Sequence, residues 1–465
     1  MAKKKKILLL SDDLRMASGI ANMSKQFVLG TLKDFDWVQI GAAVKHPEEG
    51  KIMDLCEDVR KRTGIEDAYV KIYPSSGYGT ADSLRQIINM ENPDAILHFT
   101  DPRYWIWLYQ IEHEIRQNIP ILFYHIWDDL PDPQYNRDYL ESCDWVGTIS
   151  RQTYGITRRV WGMDAKSRWK QPADWQVKYV PHGINDVDYK PTQIDDKFYK
   201  EVLGDKKYDF VAYWNNRNIR RKQAIDVIVS FRDFVNNLPE EKRDKCALLM
   251  HTQKVDENGT DLPKVVADLA PGINVIFDDR KWNEQQLNQL YNIADVTLNI
   301  SSAEGFGLAS AESIVAGTPV IVNVTGGLQD QCGFRWKESG VALNEEDYVE
   351  IGSLHDWRKF EDKVTWGDWV IPVWSRSRSY TGSPPTPYIM EDHVDTYEVT
   401  SALSEFYNMG REERKALGLK GREWALGEGG LSLENMCKTM TDGINDALEN
   451  FTPRKKHEIF TLDIK

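Results

Sequence analysis

The chain has 465 residues, of which 41% are hydrophobic and 28% charged, and carries a net charge of −14. That length suits two sizeable domains, and the composition excludes a disordered or fibrous chain. The acidic balance argues against general affinity for nucleic acid or anionic membranes, although local basic patches can persist within it.

The opening MAKKKKILLLSDD has an apolar run of only four residues before Ser11, too short for a signal peptide, so a cytoplasmic protein with no membrane span is expected. Five cysteines (Cys56, Cys143, Cys246, Cys332, Cys437) are scattered without a C-x-x-C pair, so neither a zinc site nor a disulfide framework is expected. KKILLLSD reads as a strand and SKQFVLGTLKDF as a helix, followed by the apolar runs WVQIGAAV, PDAILHFTD, PILFYHIWDD and CDWVGTIS. Short continuous apolar runs separated by helical spacing are what strands covered on both faces of a parallel sheet require. VPHGINDVDYKP breaks this pattern with Pro181, Gly183 and Pro191 and marks a domain boundary, which gives a first domain over 1–183.

A second alternation follows: YDFVAYWNN, the helix RKQAIDVIVSFRDFVNNL, KCALLMHT, INVIFDD, the helix EQQLNQLYNIAD and VTLNIS. Leu287, Leu290, Tyr291 and Ala294 recur at three and four in EQQLNQLYNIAD, so one helix face is buried. This second domain spans 184–425, with an insertion at about 345–392 marked by Trp357, Trp366, Trp369, Trp374 and the turn-rich GSPPTPY. Residues 426–465 read as a C-terminal helical segment that packs back on the first domain. The fold class is α/β, with two doubly wound domains facing across a cleft where such folds bind ligands.

Residues 301 to 327, SSAEGFGLASAESIVAGTPVIVNVTGG, hold the chemistry. The strand ends at the serines, and a helix LASAESIVA begins only after Gly307 and stops at Gly317 before Pro319. Gly305 and Gly307 remove side chains where a backbone must approach something closely, and the free amides at Leu308 suit a diphosphate. Glu304 lies in the loop and Glu312 about a turn into the helix, placed to accept hydrogen bonds from vicinal ribose hydroxyls. Two solvated glutamates on a surface loop are the plainer alternative for the spacing alone.

EGFGLASAE resembles the E-x7-E motif of retaining glycosyltransferases with the GT-B fold, and AESIVAGTPVIVNVTGG resembles its usual continuation; the similarity is to glycosyltransferase family 4. The resemblance implies two Rossmann-like domains, the first binding the acceptor and the second a nucleotide sugar. Within NRNIRRKQ it places Arg217 and Lys222 on the leaving diphosphate, with Gln223 where the family usually has glycine. It places Gly305, Phe306, Gly307 and Leu308 around the donor, Glu304 on the donor sugar and Glu312 on the ribose. It makes Gly183 an interdomain pivot, Gly19 in SGIANMSKQF the donor-facing glycine of the first domain, and His125 an active-site histidine for the sugar or the departing proton. Without the resemblance, RNIRRK reads as a solvated basic helix start and His125 as a satisfied structural histidine.

The implied reaction proceeds by same-face attack, with no covalent nucleophile, no metal and no cofactor beyond the nucleotide-diphosphate sugar itself. DDLPDP and NDVDY are read as solvated carboxylates. A nucleotide-sugar epimerase or hydrolase and a non-catalytic nucleotide-sugar-binding protein are the alternatives; a NAD-dependent oxidoreductase lacks its G-x-G-x-x-G spacing. For the acceptor, two basic and aromatic stretches supply candidate nucleic-acid contacts at Arg158, Arg159, Arg168, Lys170, Arg376 and Arg378. The acceptor readings are therefore a hydroxymethylated DNA base, as in phage-type enzymes acting in host cytoplasm, or a carbohydrate or small molecule; a lipid is the least favoured.

Overall fold

The computed structural model describes residues 3–162 and 172–455. The first sheet contains β1 (Lys5–Asp12), β2 (Phe35–Ala43), β3 (Met53–Asp54), β4 (Val70–Ser76), β5 (Ala95–Phe99), β6 (Ile121–His125), β7 (Trp145–Thr148) and β8 (Val177–Tyr179). Its order is β3-β4-β2-β1-β5-β6-β7-β8, and all pairings except β3 with β4 are parallel. Along β1 the period of two sends Ile7 and Leu9 into one core and Leu8 and Leu10 into another, so ILLL is buried on both faces.

The second sheet joins β9 (Phe210–Asn215), β10 (Cys246–His251), β11 (Val275–Asp278), β12 (Val296–Asn299) and β13 (Val320–Asn323). The small pair β14 (Arg335–Trp336) and β15 (Val364–Thr365) comes next in the chain, and β16 (Val370–Val373) then completes the sheet. Its order, β11-β10-β9-β12-β13-β16, is parallel throughout. In both sheets the chain first winds one way and then the other, so the strand order reverses beside β1 and β9. Ligands of such folds sit at that reversal, beyond the carboxyl ends of the strands. The fold is therefore the GT-B architecture of two Rossmann-like domains.

The first helix, Gly19–Gly30, starts earlier and stops sooner than the periodicity of SKQFVLGTLKDF suggests. Ser18 caps it by accepting from the Ala21 amide, so SGIANM forms its first turns rather than an open loop. In the second domain the helix expected from Arg221 begins at Ala224, after a 3₁₀ turn at Arg220–Lys222 and Gln223 at φ 54°. The 345–392 segment contains the helix Glu345–Ile351 and opens a ribbon of β17 (Ser375–Ser383) and β18 (Thr386–Val394).

The chain crosses between domains twice. At Gly183 a Cβ would lie 2.6 Å from Leu433 Cα and 2.8 Å from Ser432 O, and the next residue, Ile184, donates its amide to Leu431 O at 2.8 Å and accepts from the Leu433 amide at 3.1 Å. The absence of a side chain at Gly183 thus admits the returning chain. The last helix, Leu433–Asn450, lies on the first domain so closely that a Cβ on Gly443 would stand 2.2 Å from the Trp145 ring. The five cysteines are free and buried. Among the described residues no helix is long and apolar enough to cross a membrane.

Candidate active site

A cleft of about 1350 Å³ opens between the two domains and receives the carboxyl ends of β1, β6, β9 and β12. Its second-domain wall is the stretch singled out from the sequence. The helix is Leu308–Ala316, with Gly307 at φ 87° before it and Gly317 at φ 88° after it. Both values lie in the left-handed region that glycine enters without steric cost. No side chain caps the N-terminus of this helix, which faces the cleft and leaves its first amides to a ligand.

The glycines of VTGG explain how the loop is held. A Cβ on Gly326 would fall 2.0 Å from Glu304 O, and one on Gly327 would fall 2.3 Å from Gly305 O. Backbone therefore lies directly on backbone, and the Gly327 amide donates to Glu304 O at 2.8 Å. The loop is fixed by this shelf before any ligand arrives. Phe306 closes its far side, with its ring 5.0 Å from that of His182.

Glu304 is buried and forms an ion pair with Lys222, which is also buried, while Arg221 Nη1 stands 3.7 Å from the same carboxylate oxygen. Burial alone would raise the Glu304 pKa, but the charges of Lys222 and then Arg221 outweigh it and hold the carboxyl below its ordinary value. Arg221 is fixed by donating to Ala303 O at 2.6 Å, and its own carbonyl accepts from the Ser302 amide at 2.8 Å. Gln223 supplies the tight reversal at φ 54°, in the left-handed geometry that glycine favours.

Glu312 is buried one turn further on and accepts from the Tyr291 hydroxyl at 2.7 Å. Burial pushes its pKa up to about 7, against the hydrogen bonds of Tyr291 and Tyr189. The two glutamates of one motif thus differ in charge state: Glu304 is a paired carboxylate, and Glu312 is a carboxyl that ionises near neutrality.

The remaining expected residues are distributed as follows. Arg217 lines the cleft, but its side chain is 63% exposed and paired with Asp256 at 2.9 Å, so in this state Arg221 rather than Arg217 meets Glu304. Gly19 lies on the opposite wall against Leu308, and a Cβ there would make only an ordinary 3.5 Å contact. His125 lies beside the cleft, lining an adjoining pocket of about 230 Å³, while Ile126 takes the cleft wall.

Of the proposed nucleic-acid contacts, Arg159 is held by Asp132 at 2.8 Å and by the Tyr348 carbonyl, so it braces the 345–351 helix. Arg376 is tied to Glu398 and Glu361 and stacks on Trp357, Arg378 pairs with Asp392 at 2.9 Å, and Arg158 reaches Asp174 at 3.4 Å. These four cations are already matched by carboxylates; Arg168 and Lys170 lie outside the described residues.

Four features of the cleft were not expected from the sequence. Arg221 was one basic residue among several, and only its distance to Glu304 distinguishes it. Asp128 and Asp129, expected to be solvated, instead line the cleft; burial and mutual repulsion raise Asp129 to about 9, and burial raises Asp128 despite Arg221. His182 lines the cleft, neutral by burial, with its Nδ1 2.8 Å from the Tyr124 hydroxyl. Asn216 also lines it, with a buried Nδ2 that has no partner. Among the described residues there is no group of three His, Cys, Asp or Glu placed to hold a metal.

Comparison with known proteins agrees with this geometry. Residues 223–365 match the family described as "Family 4 Glycosyltransferase in conflict systems". A stretch of 68 residues is 40% identical to D-inositol 3-phosphate glycosyltransferase of Thermomonospora curvata, covering 15% of each protein. Sucrose-phosphate synthase from Thermosynechococcus elongatus superimposes over 96% of this chain and all of its own, with a TM-score of 0.65 at 15% identity. The Anabaena HepE protein, in complex with UDP and glucose, covers 95% of this chain and 99% of its own, with a TM-score of 0.61 at 11% identity. The chain is a GT-B protein. Its resemblance to glycosyltransferase family 4, drawn from EGFGLASAE and its continuation, is supported by the family match over the same segment.

Proposed function

We propose that the protein is a retaining glycosyltransferase that moves a sugar from a nucleotide-diphosphate sugar to an acceptor hydroxyl. The observation that carries this reading is the convergence of Lys222, Arg221, the free amides before Leu308, Glu304 and Glu312 on one interdomain cleft. In the reaction the bond from the anomeric carbon to the diphosphate oxygen breaks through an oxocarbenium-like state, and negative charge gathers on the leaving group. Lys222 and Arg221 supply fixed positive charge there, Arg217 adds to it after leaving Asp256, and the helix amides add dipoles. Such preorganised groups in a closed site lower the barrier by on the order of several kcal/mol, so no metal is invoked.

Lys222 and Glu304 hold each other before the donor binds. When the diphosphate takes Lys222, Glu304 is left to accept hydroxyls of the donor sugar, and Glu312 accepts the ribose diol. The acceptor oxygen bonds to the anomeric carbon on the face that the leaving group vacates, and the hydroxyl proton passes to the departing phosphate oxygen. Anabaena HepE has been observed with UDP and glucose, which makes UDP-sugars the first donors to test.

The test is a thermal-shift and nucleotide-release screen over nucleotide sugars, with Glu312→Ala as control. Stabilisation by one donor that the control loses, with release dependent on an added acceptor, supports the proposal. Release to water alone would favour a hydrolase, and no stabilisation by any nucleotide sugar would sink the reading.

A further inference from the structure

The pocket beside the cleft has its own chemistry. It is lined by His125, Trp127, Asp128 and Asp129 from the first domain and by Thr386 and Ile389 from the ribbon of the second. Its volume of about 230 Å³ is room for several waters, or one sugar ring.

The ribbon is tied in place. Tyr135 donates to the Tyr388 carbonyl at 2.8 Å, the Tyr388 hydroxyl donates to Asp132 O at 3.3 Å, and the two tyrosine rings meet edge to face. A strand of one domain thereby roofs a pocket floored by the other, at the edge of the transfer cleft.

The hydrogen-bonding character of the lining follows from proton accounting. The Thr157 hydroxyl spends its single proton on Thr153 O at 2.8 Å, so at its 2.8 Å contact with His125 it accepts, and His125 Nδ1 is the donor. That leaves His125 Nε2 as a lone-pair acceptor with no protein partner, in a residue that lines the pocket and is only 2% exposed. Burial lowers its pKa to about 3, so it stays neutral.

Asp129 adds a buried Oδ1 with no partner, and Asp128 adds a second carboxyl group. The Trp127 Nε1 is already spent on Asp129 O at 2.7 Å, which leaves its ring as an apolar face. Arg103, the cation of the lining, is bound to Asp101 and stacked over Trp127. The pocket therefore offers acceptors and an apolar face but no free positive charge. With Asp129 protonated near neutral pH the pair carries at most one negative charge and the lining offers a phosphate no free cation, whereas a hydroxyl-rich molecule, which both donates and accepts, matches His125 Nε2 and the two carboxyl groups.

We infer that this pocket is the acceptor subsite and that the acceptor is an uncharged, hydroxyl-rich molecule such as a sugar ring. This rests on the glycosyltransferase reading, and it selects the carbohydrate over the DNA acceptor. His125 Nε2 and the aspartate pair orient the attacking hydroxyl toward the cleft, and the ribbon sets which rings fit.

The test is a titration of the protein, with and without saturating UDP, by a panel of free hexoses and disaccharides and by a duplex containing hydroxymethylcytosine. It is read by tryptophan fluorescence and melting temperature in wild type, Thr386→Trp and Asp129→Asn. The expected result is saturable binding of at least one neutral sugar, weakened tenfold or more in both variants while UDP still stabilises Thr386→Trp, whose residue lies outside the donor cleft. No sugar binding, sugar binding unchanged in Thr386→Trp, duplex binding that Thr386→Trp abolishes, or loss of UDP binding in Thr386→Trp would each overturn the assignment. Failure of UDP to stabilise wild type would count against the donor reading, and the titration without UDP would still decide this one.

Discussion

Replacing Lys222 by methionine tests how the donor site is held before it works. The side chain keeps its bulk and loses its charge, so the buried Glu304 retains Arg221, at 3.7 Å, as its charged partner beside the Ser301 hydroxyl. At an effective dielectric of about 20, that contact is worth about 4.5 kcal/mol. The Arg221 side chain is 38% exposed, so solvent screening reduces the figure to about half. Breaking a buried pair costs roughly 3–5 kcal/mol, and the residual arginine keeps the loss near the lower figure, about 3 kcal/mol at pH 8.

The sign of the pH dependence follows from the same groups. In wild type Glu304 is held below its ordinary pKa, because Lys222 and Arg221 outweigh burial; its contribution is present above the unfolded value of 4.5 and lost as pH falls through the folded one. In Lys222→Met burial wins, the folded pKa rises, and stability is lost instead as pH climbs past about 4.5. Urea unfolding at pH 5 and pH 8 should therefore show a partial deficit at the lower pH, where the wild-type pair already contributes, and a larger, full deficit at the higher, where the unpaired carboxyl adds its own cost. Equal deficits at both would refute the reasoning, since the cost would then be packing rather than an unpaired carboxylate.

Glu312, raised to about 7 by burial, must ionise to accept the ribose diol, so UDP affinity should climb as pH rises toward 7, by up to about tenfold per unit below it. Calorimetry of Glu312→Gln should show weaker binding without this limb, which separates it from titration of the diphosphate. Gly327→Ala drives a methyl onto Gly305 O and should cost at least about 1–3 kcal/mol in urea unfolding and abolish UDP stabilisation. Gly19→Ala, with an open 3.5 Å contact, should leave UDP affinity within about threefold by the same calorimetry. Gln223→Gly relieves a left-handed φ of 54° and should raise stability by roughly 0.5–1 kcal/mol; a loss would mean that the Gln223 contact to His393 matters more than the backbone.

The architecture was legible because its signals are local. ILLL could be buried on both faces only in a covered parallel sheet, and the helix between Gly307 and Gly317 was bounded by residues whose backbone geometry is their reason for being there. The positions of the two glutamates followed from those bounds. What stayed hidden depends on which side chains meet across the fold. Nothing in NRNIRRKQ distinguishes Arg221 from Arg217; the 3₁₀ turn and the left-handed Gln223 turn one inward and leave the other on the rim with Asp256.

The acidic run after His125 illustrates the same limit. It reads as solvent-facing because aspartates near proline usually are, yet the ribbon, more than 250 residues later, covers it. The basic and aromatic stretches show the same limit from the other side, since the carboxylates that pair with Arg159, Arg376 and Arg378 are spread along the chain and are gathered only by folding.

The most direct measurement is proton NMR of the reaction of the α-linked UDP-sugar selected by the donor screen, with an accepted sugar, followed at the anomeric signals. The account predicts release of UDP together with a new glycoside that keeps the α configuration, in wild type but not in Lys222→Met. An inverted product, an epimerised nucleotide sugar, or turnover unaffected by the substitution would contradict it.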